Sequence, residues 1–186
     1  GQCFGGCRPL TSLARFPRVG IASFPTGGIP HVPADATDVY RHTFPRMASK
    51  TKRFYERYPV DVERVAALAD ILDSREVVLP NGDPLTVERL QCLGADFGMK
   101  PSFERVHWML DQAFLDGDGS VSAGSEVSDE FLHGVMNATS SRPLYWPLQE
   151  FIYANGELDE PIRWAAQRVR DEHPEFNTDV RPLNFT

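Results

Sequence analysis

Gly1-Gln2-Cys3-Phe4-Gly5-Gly6 opens the sequence, and the fold turns on how these six residues are read. Their form is G-x-C-x-G. That spacing suits a nucleophile held on a sharp turn between a strand and a helix. The turn strains the backbone, and side chains two residues to either side would collide, so glycine is needed there. Gly1 and Gly5 meet the requirement. A helix starting at this turn aims its amides at side chain 3, which puts Cys3 at the nucleophile position. The backbone N–H of Phe4 then becomes an oxyanion-hole donor. Six residues are a short motif, and a glycine-rich loop around a buried cysteine reads equally well from them alone.

Outward from the motif, residues 1–30 hold six glycines (1, 5, 6, 20, 27 and 28) and no acidic residue. The remainder is acidic and helical in period, so a boundary is expected near Ile29-Pro30. Asp35 to Tyr58 has helical spacing, with Pro45 expected to kink or split it. Val62, Val65, Ala66, Ala69 and Leu72 trace one face and predict an amphipathic helix over Pro59–Asp73. Pro80-Asn81-Gly82-Asp83 reads as a turn. Thr86 is a predicted cap for a helix through Ala95, and Ser102 for one through Phe114. Further helices are predicted over Asp129–Asn137, Pro143–Ala154 and Glu160–Glu172. The stretch 116–128 is small and polar and reads as a surface loop. Its aspartates do not make a calcium loop, because the sixth and twelfth places hold Val121 and Val127 where Gly and Glu are needed.

Composition removes several function classes. The 186 residues include 26 acidic and 19 basic side chains, a net charge of −7 that argues against nucleic acid as the main partner. The apolar set is 41% of the chain with 12 Phe, enough for a packed core. The longest uncharged stretch, Val19 to Ala34, is broken by three prolines and three glycines, so no membrane-spanning helix is expected. There is no signal-peptide pattern. Only Cys3, Cys7 and Cys92 occur, which argues against a disulfide framework and fits a reducing, cytoplasmic setting. No His/Cys/Asp cluster has metal-ligand spacing, and no phosphate-loop or dinucleotide pattern is present, so neither metal nor cofactor is expected. The first Met is Met47, and the chain reads as an internal piece of a longer protein of unassigned oligomeric state.

Linked motifs then give a resemblance. The elbow leads to Leu10-Thr11-x-Leu13, Pro17 and Thr26-Gly27-Gly28-Ile29-Pro30. Beyond it come Asp38-Val39-Tyr40-Arg41, Tyr55-x-Arg57-Tyr58-Pro59-x-Asp61-Val62-Glu63-Arg64-Val65 and Leu79-Pro80-Asn81-Gly82-Asp83. Leu85-Thr86-Val87-x-Arg89-Leu90-Gln91, Phe103-Glu104-Arg105-x-His107-Trp108 and Pro143-Leu144-Tyr145 follow, and then Glu150-x-Ile152-Tyr153 and Trp164-Ala165-Ala166-x-Arg168-Val169. In this order and spacing the chain resembles the proline iminopeptidase (prolyl aminopeptidase) family of α/β hydrolases.

The resemblance implies an α/β hydrolase fragment. Residues 1–30 would be the nucleophile-elbow helix and one core strand. Residues 31–186 would be a mostly α-helical cap domain. It implies a peptide substrate with N-terminal proline, cleaved through an acyl-enzyme. An enzyme that removes one residue needs a carboxylate at a fixed distance to hold the substrate's amine, and Glu150 matches that position. Phe151, Tyr145 and Trp146 are candidates to wall the proline ring, with core packing as their other use. The triad Asp and His would lie outside this chain, and none of His31, His42, His107, His133 or His173 is assigned the role. The isolated chain is accordingly expected to be inactive.

The sequence departs from the family at the elbow. Cys3 stands where the family has serine. Three readings stand side by side: a working thiolate favoured by the helix dipole and a neighbouring histidine, a site whose chemistry was lost or changed, and a one-base sequence error. Pro9, Arg18-Val19-Gly20 and Pro25 make residues 7–25 the stretch least like the family, and Cys7 reads as an inert buried thiol. A hydrolase acting on another small ester or amide, and a non-catalytic relative, remain as alternatives.

Overall fold

Residues 12, 13 and 15 are helical, and Asp35 opens the first helix whose bounds lie among the described residues. Its carboxylate accepts the Asp38 amide at 2.9 Å, the geometry of a helix N-cap, and helix α1 follows over Ala36–Arg57. The computed structural model describes residues 12, 13, 15–18, 20, 22, 24, 35–99, 102–115, 125–153 and 160–186. The predicted elbow, with Cys3 and Phe4, and most of the predicted core strand lie outside the described residues, as does the predicted boundary at residue 30. By contact the chain divides into two units. The smaller comprises Gly1–Tyr40 with Leu144–Arg168, and the larger Arg41–Pro143 with Val169–Thr186.

The larger unit is helical. Pro45 does not split α1, which runs unbroken past it. Proline brings no N–H to the helix ladder, yet the helix continues through it for twelve more residues. Helix α2 spans Val60–Ser74 and buries Val65, Leu68, Ala69 and Ile71. The predicted face is right in direction, but its centre lies toward Leu68 and Ile71, leaving Val62 and Leu72 half-buried. At the predicted turn the Gly82 amide donates to the Leu79 carbonyl at 2.8 Å. Gly82 has φ +86°, a region glycine enters without steric cost, and the Asn81 side chain accepts the Asp83 amide. Among the described residues there is no strand, only the isolated bridges Val78 to Pro84 and Phe114 to Val127.

Thr86 caps helix α3, Val87–Gln91, by accepting the Arg89 amide at 3.2 Å. The helix tightens into a 3₁₀ segment over Cys92–Gly98. Helix α4, Phe103–Asp111, is shorter than predicted, and Ser102 makes no side-chain cap. Ser128 caps helix α5, Asp129–Ser140, through the Phe131 amide. Phe54 is fully buried at the centre of the core, with Phe97, Phe103 and Phe185 around it at centroid distances of 5.0, 5.7 and 5.7 Å. The last residues complete this core. Leu183 and Phe185 are buried, the Thr186 amide donates to the Gln91 carbonyl at 2.9 Å, and Gln91 itself donates to the Phe176 and Asn184 carbonyls.

The smaller unit holds the start of α1, helix α6 over Tyr145–Gln149, a 3₁₀ turn over Glu150–Tyr153, and the first residues of helix α7, Ala165–Asp171. The predicted helix over Pro143–Ala154 is therefore two short pieces. The one predicted over Glu160–Glu172 begins only at Ala165, because Arg163 and Trp164 take positive φ values of 57° and 51°.

Candidate active site

Of the predicted site residues, Glu150 is the one the described residues contain. It is 4% exposed. Its Oε2 accepts the Ala165 amide at 3.0 Å and its Oε1 the Ala166 amide at 2.8 Å. These are the first two amides of α7, which have no partner inside the helix, so the carboxylate serves α7 as a cap contributed from a distant segment. The hydroxyl of Tyr40 also hydrogen-bonds Glu150; burial first, and the Glu150 charge second, push that phenol well above its ordinary pKa. The Tyr40 ring meets Tyr153 edge to face at 6.0 Å. A carboxylate has about four acceptor positions, and these three donors are the ones found among the described residues.

The three aromatic candidates lie in the same unit and are not core residues. Tyr145, Trp146 and Phe151 are all exposed to solvent, the first two meeting edge to face. Sequence reasoning passed over Trp164, which is 58% exposed. It immediately precedes the Ala165 amide held by Glu150. The only signal for it in the sequence is the linked stretch Trp164-Ala165-Ala166-x-Arg168.

In the larger unit His107 places Nδ1 2.8 Å from Oδ2 of Asp61 and stacks on Tyr58 at 3.9 Å. The His–Asp pairing is a motif shared with hydrolytic sites, but Asp61 is also bound at 3.0 Å by Arg64, which reaches on to Asp111. The cluster ties α2 to α4. A cleft of about 420 Å³ in this unit is lined by Asp73, Ser74, Arg75, Thr86 and Glu88 among others. Two of its hydroxyls are engaged, Ser74 with the Ile71 carbonyl and Thr86 as the α3 cap. Among the described residues no three His, Cys, Asp or Glu side chains converge to hold a metal ion. No helix there is long and apolar enough to cross a membrane.

Comparison with known proteins gives a specific likeness. No family model matches the chain. A proline iminopeptidase of Aeromonas sobria is 37% identical over 176 residues, covering 94% of this chain and 39% of the relative. The proline iminopeptidase aneH of Aspergillus aculeatus is 26% identical over 178 residues, 96% of the chain and 38% of the relative. The chain is thus homologous to proline iminopeptidases along nearly its whole length, a name that implies an α/β hydrolase. It spans about two-fifths of the length of the curated relatives it matches.

Proposed function

We propose that the protein is a prolyl aminopeptidase-type hydrolase. Residue 3 occupies the nucleophile position, and the described helices belong to the cap over the site. The observation that carries this is the likeness to proline iminopeptidases through 94% of the chain at 37% identity. In this reading the Cys3 sulfur attacks the carbonyl of an N-terminal proline, the Phe4 amide steadies the oxyanion, the peptide C–N bond breaks as the amine of the shortened peptide leaves with the thiol's proton, and water hydrolyses the thioester to release proline and restore the thiol. Glu150 holds the substrate's ammonium. Its support is geometric: the buried carboxylate is fixed by two amides and a phenol, and a fixed carboxylate is a group that forms charge-assisted hydrogen bonds to a cation. The sparse, odd cysteine set supports a cytoplasmic setting.

An aminopeptidase requires a free amine. The intact protein is expected to release the chromophore from proline p-nitroanilide and to leave N-acetylproline p-nitroanilide uncut. Glu150→Gln should raise KM for the first substrate by about tenfold or more, the loss of one charge-assisted contact. Equal cleavage of the two anilides would remove the aminopeptidase reading, and an unchanged KM in the variant would remove Glu150 from the amine site.

A further inference from the structure

Among the described residues only Arg163 and Trp164 are non-glycine residues with positive φ, at 57° and 51°. For a residue as bulky as tryptophan this is a costly conformation, since the Cβ crowds the backbone. Such strain persists only where surrounding contacts impose it. Two groups do so here, both within the smaller unit. On the amide side, Glu150 takes the N–H groups of Ala165 and Ala166. On the carbonyl side, the Arg168 guanidinium donates to the carbonyls of Ile162 at 2.6 Å and Arg163 at 2.8 Å, and reaches the Thr37 hydroxyl at 3.4 Å. The turn is gripped from both ends, yet the indole it carries is mostly in solvent. A large apolar ring fixed by a strained backbone and then left uncovered contributes little to the core.

We propose that Trp164 is a substrate-contacting residue, its indole packing against the pyrrolidine ring of the N-terminal proline, and that Arg168 is the positioning residue that holds the turn presenting it. This rests on the aminopeptidase reading and deepens it. A saturated five-membered ring next to a secondary ammonium suits an indole face, which offers both apolar area and a negative quadrupole. Tyr145, Trp146 and Phe151 are exposed in the same unit but lie on helical backbone without this strain. Trp164 is also the aromatic next in chain to an amide bound by Glu150, so the ring and the proposed amine anchor share one rigid support.

The test uses the intact protein with proline p-nitroanilide. Trp164→Ala should raise KM about tenfold with kcat within about threefold, and Trp164→Phe should recover most of the loss. Arg168→Gln should raise KM in the same way, and adding it to Trp164→Ala should cost nothing more, because Arg168 acts through the ring. In thermal unfolding Trp164→Gly should melt above Trp164→Ala, since glycine enters the left-handed region freely and alanine does not. An unchanged KM in Trp164→Ala, with the native protein active, overturns the assignment and leaves the aminopeptidase reading standing. Additive losses in the double variant overturn the positioning role, as does a Trp164→Gly protein no more stable than Trp164→Ala. A native protein that releases nothing from the anilide overturns both the reading and the assignment built on it.

Discussion

Asp61 has no solvent exposure and divides its two oxygens between Arg64 and His107. Neutralising this carboxylate strips the part-buried Arg64 guanidinium of one of its two anionic partners and leaves the His107 ring without its charged acceptor. Asp61→Asn is therefore expected to lower stability by about 3–5 kcal/mol in urea unfolding; a loss under about 1 kcal/mol would mean the cluster is not a structural tie. Arg41 and Glu172 form the exposed counterpart, with the guanidinium hydrogen bond, and less its charge, holding the Glu172 carboxyl below the usual carboxylate range. A carboxyl depressed in the folded state stabilises it above the unfolded pKa, and that contribution fades as pH falls through the folded one. Arg41→Ala should move the Glu172 NMR titration upward toward the ordinary carboxylate value. No upward movement would deny the pairing. At this scale the sequence was partly legible. Thr86 as a cap and Gly82 in the turn follow from local chemistry. The Asp61–His107 pair joins residues 46 apart, and no local pattern announces a contact at that separation.

Elements read well where the apolar period was long and poorly where they were short. Helix α2 is nearly as predicted, because an amphipathic face over fifteen residues fixes both type and register. The stretch after Pro143 has too few residues per piece for a period, and around its division into α6 and a 3₁₀ turn Glu150 and Tyr153 make tertiary contacts, with Ala165 and Tyr40. The delayed start of α7 also involves tertiary contacts. Arg168 and Glu150 impose a left-handed turn that propensity would not choose. Two local tests belong to this scale. Thr86→Ala should cost about 1 kcal/mol, the usual value of an N-cap, measured as a shift in the urea midpoint; no shift would deny the cap. Gly94→Ala would set a Cβ 2.7 Å from the Phe185 Cβ and from the Thr186 carbonyl oxygen. Backbone on one side cannot yield cheaply, so about 1–3 kcal/mol of destabilisation is expected, and a neutral variant would show that the last residues dock differently.

For the whole molecule, the helical reading of residues beyond 35 followed from periodicity, and the family resemblance carried the remainder. Glu150 was picked for its chemistry and for its place in a linked motif. Its burial, and its service to α7, depend on a partner segment fifteen residues away that sequence could not place against it. Trp164 was missed because an exposed tryptophan looks like any other until its backbone angle is known. Cys3 and Phe4 rest on the geometry that G-x-C-x-G demands. The central claim is that side chain 3 performs acyl transfer on an N-terminal proline. The most direct measurement is the rate of proline p-nitroanilide cleavage by the intact native protein beside its Cys3→Ser and Cys3→Ala variants. Native and serine proteins should both turn over, and the alanine protein should fall by about 10³-fold or more. Cleavage by the alanine variant at the native rate would contradict the account.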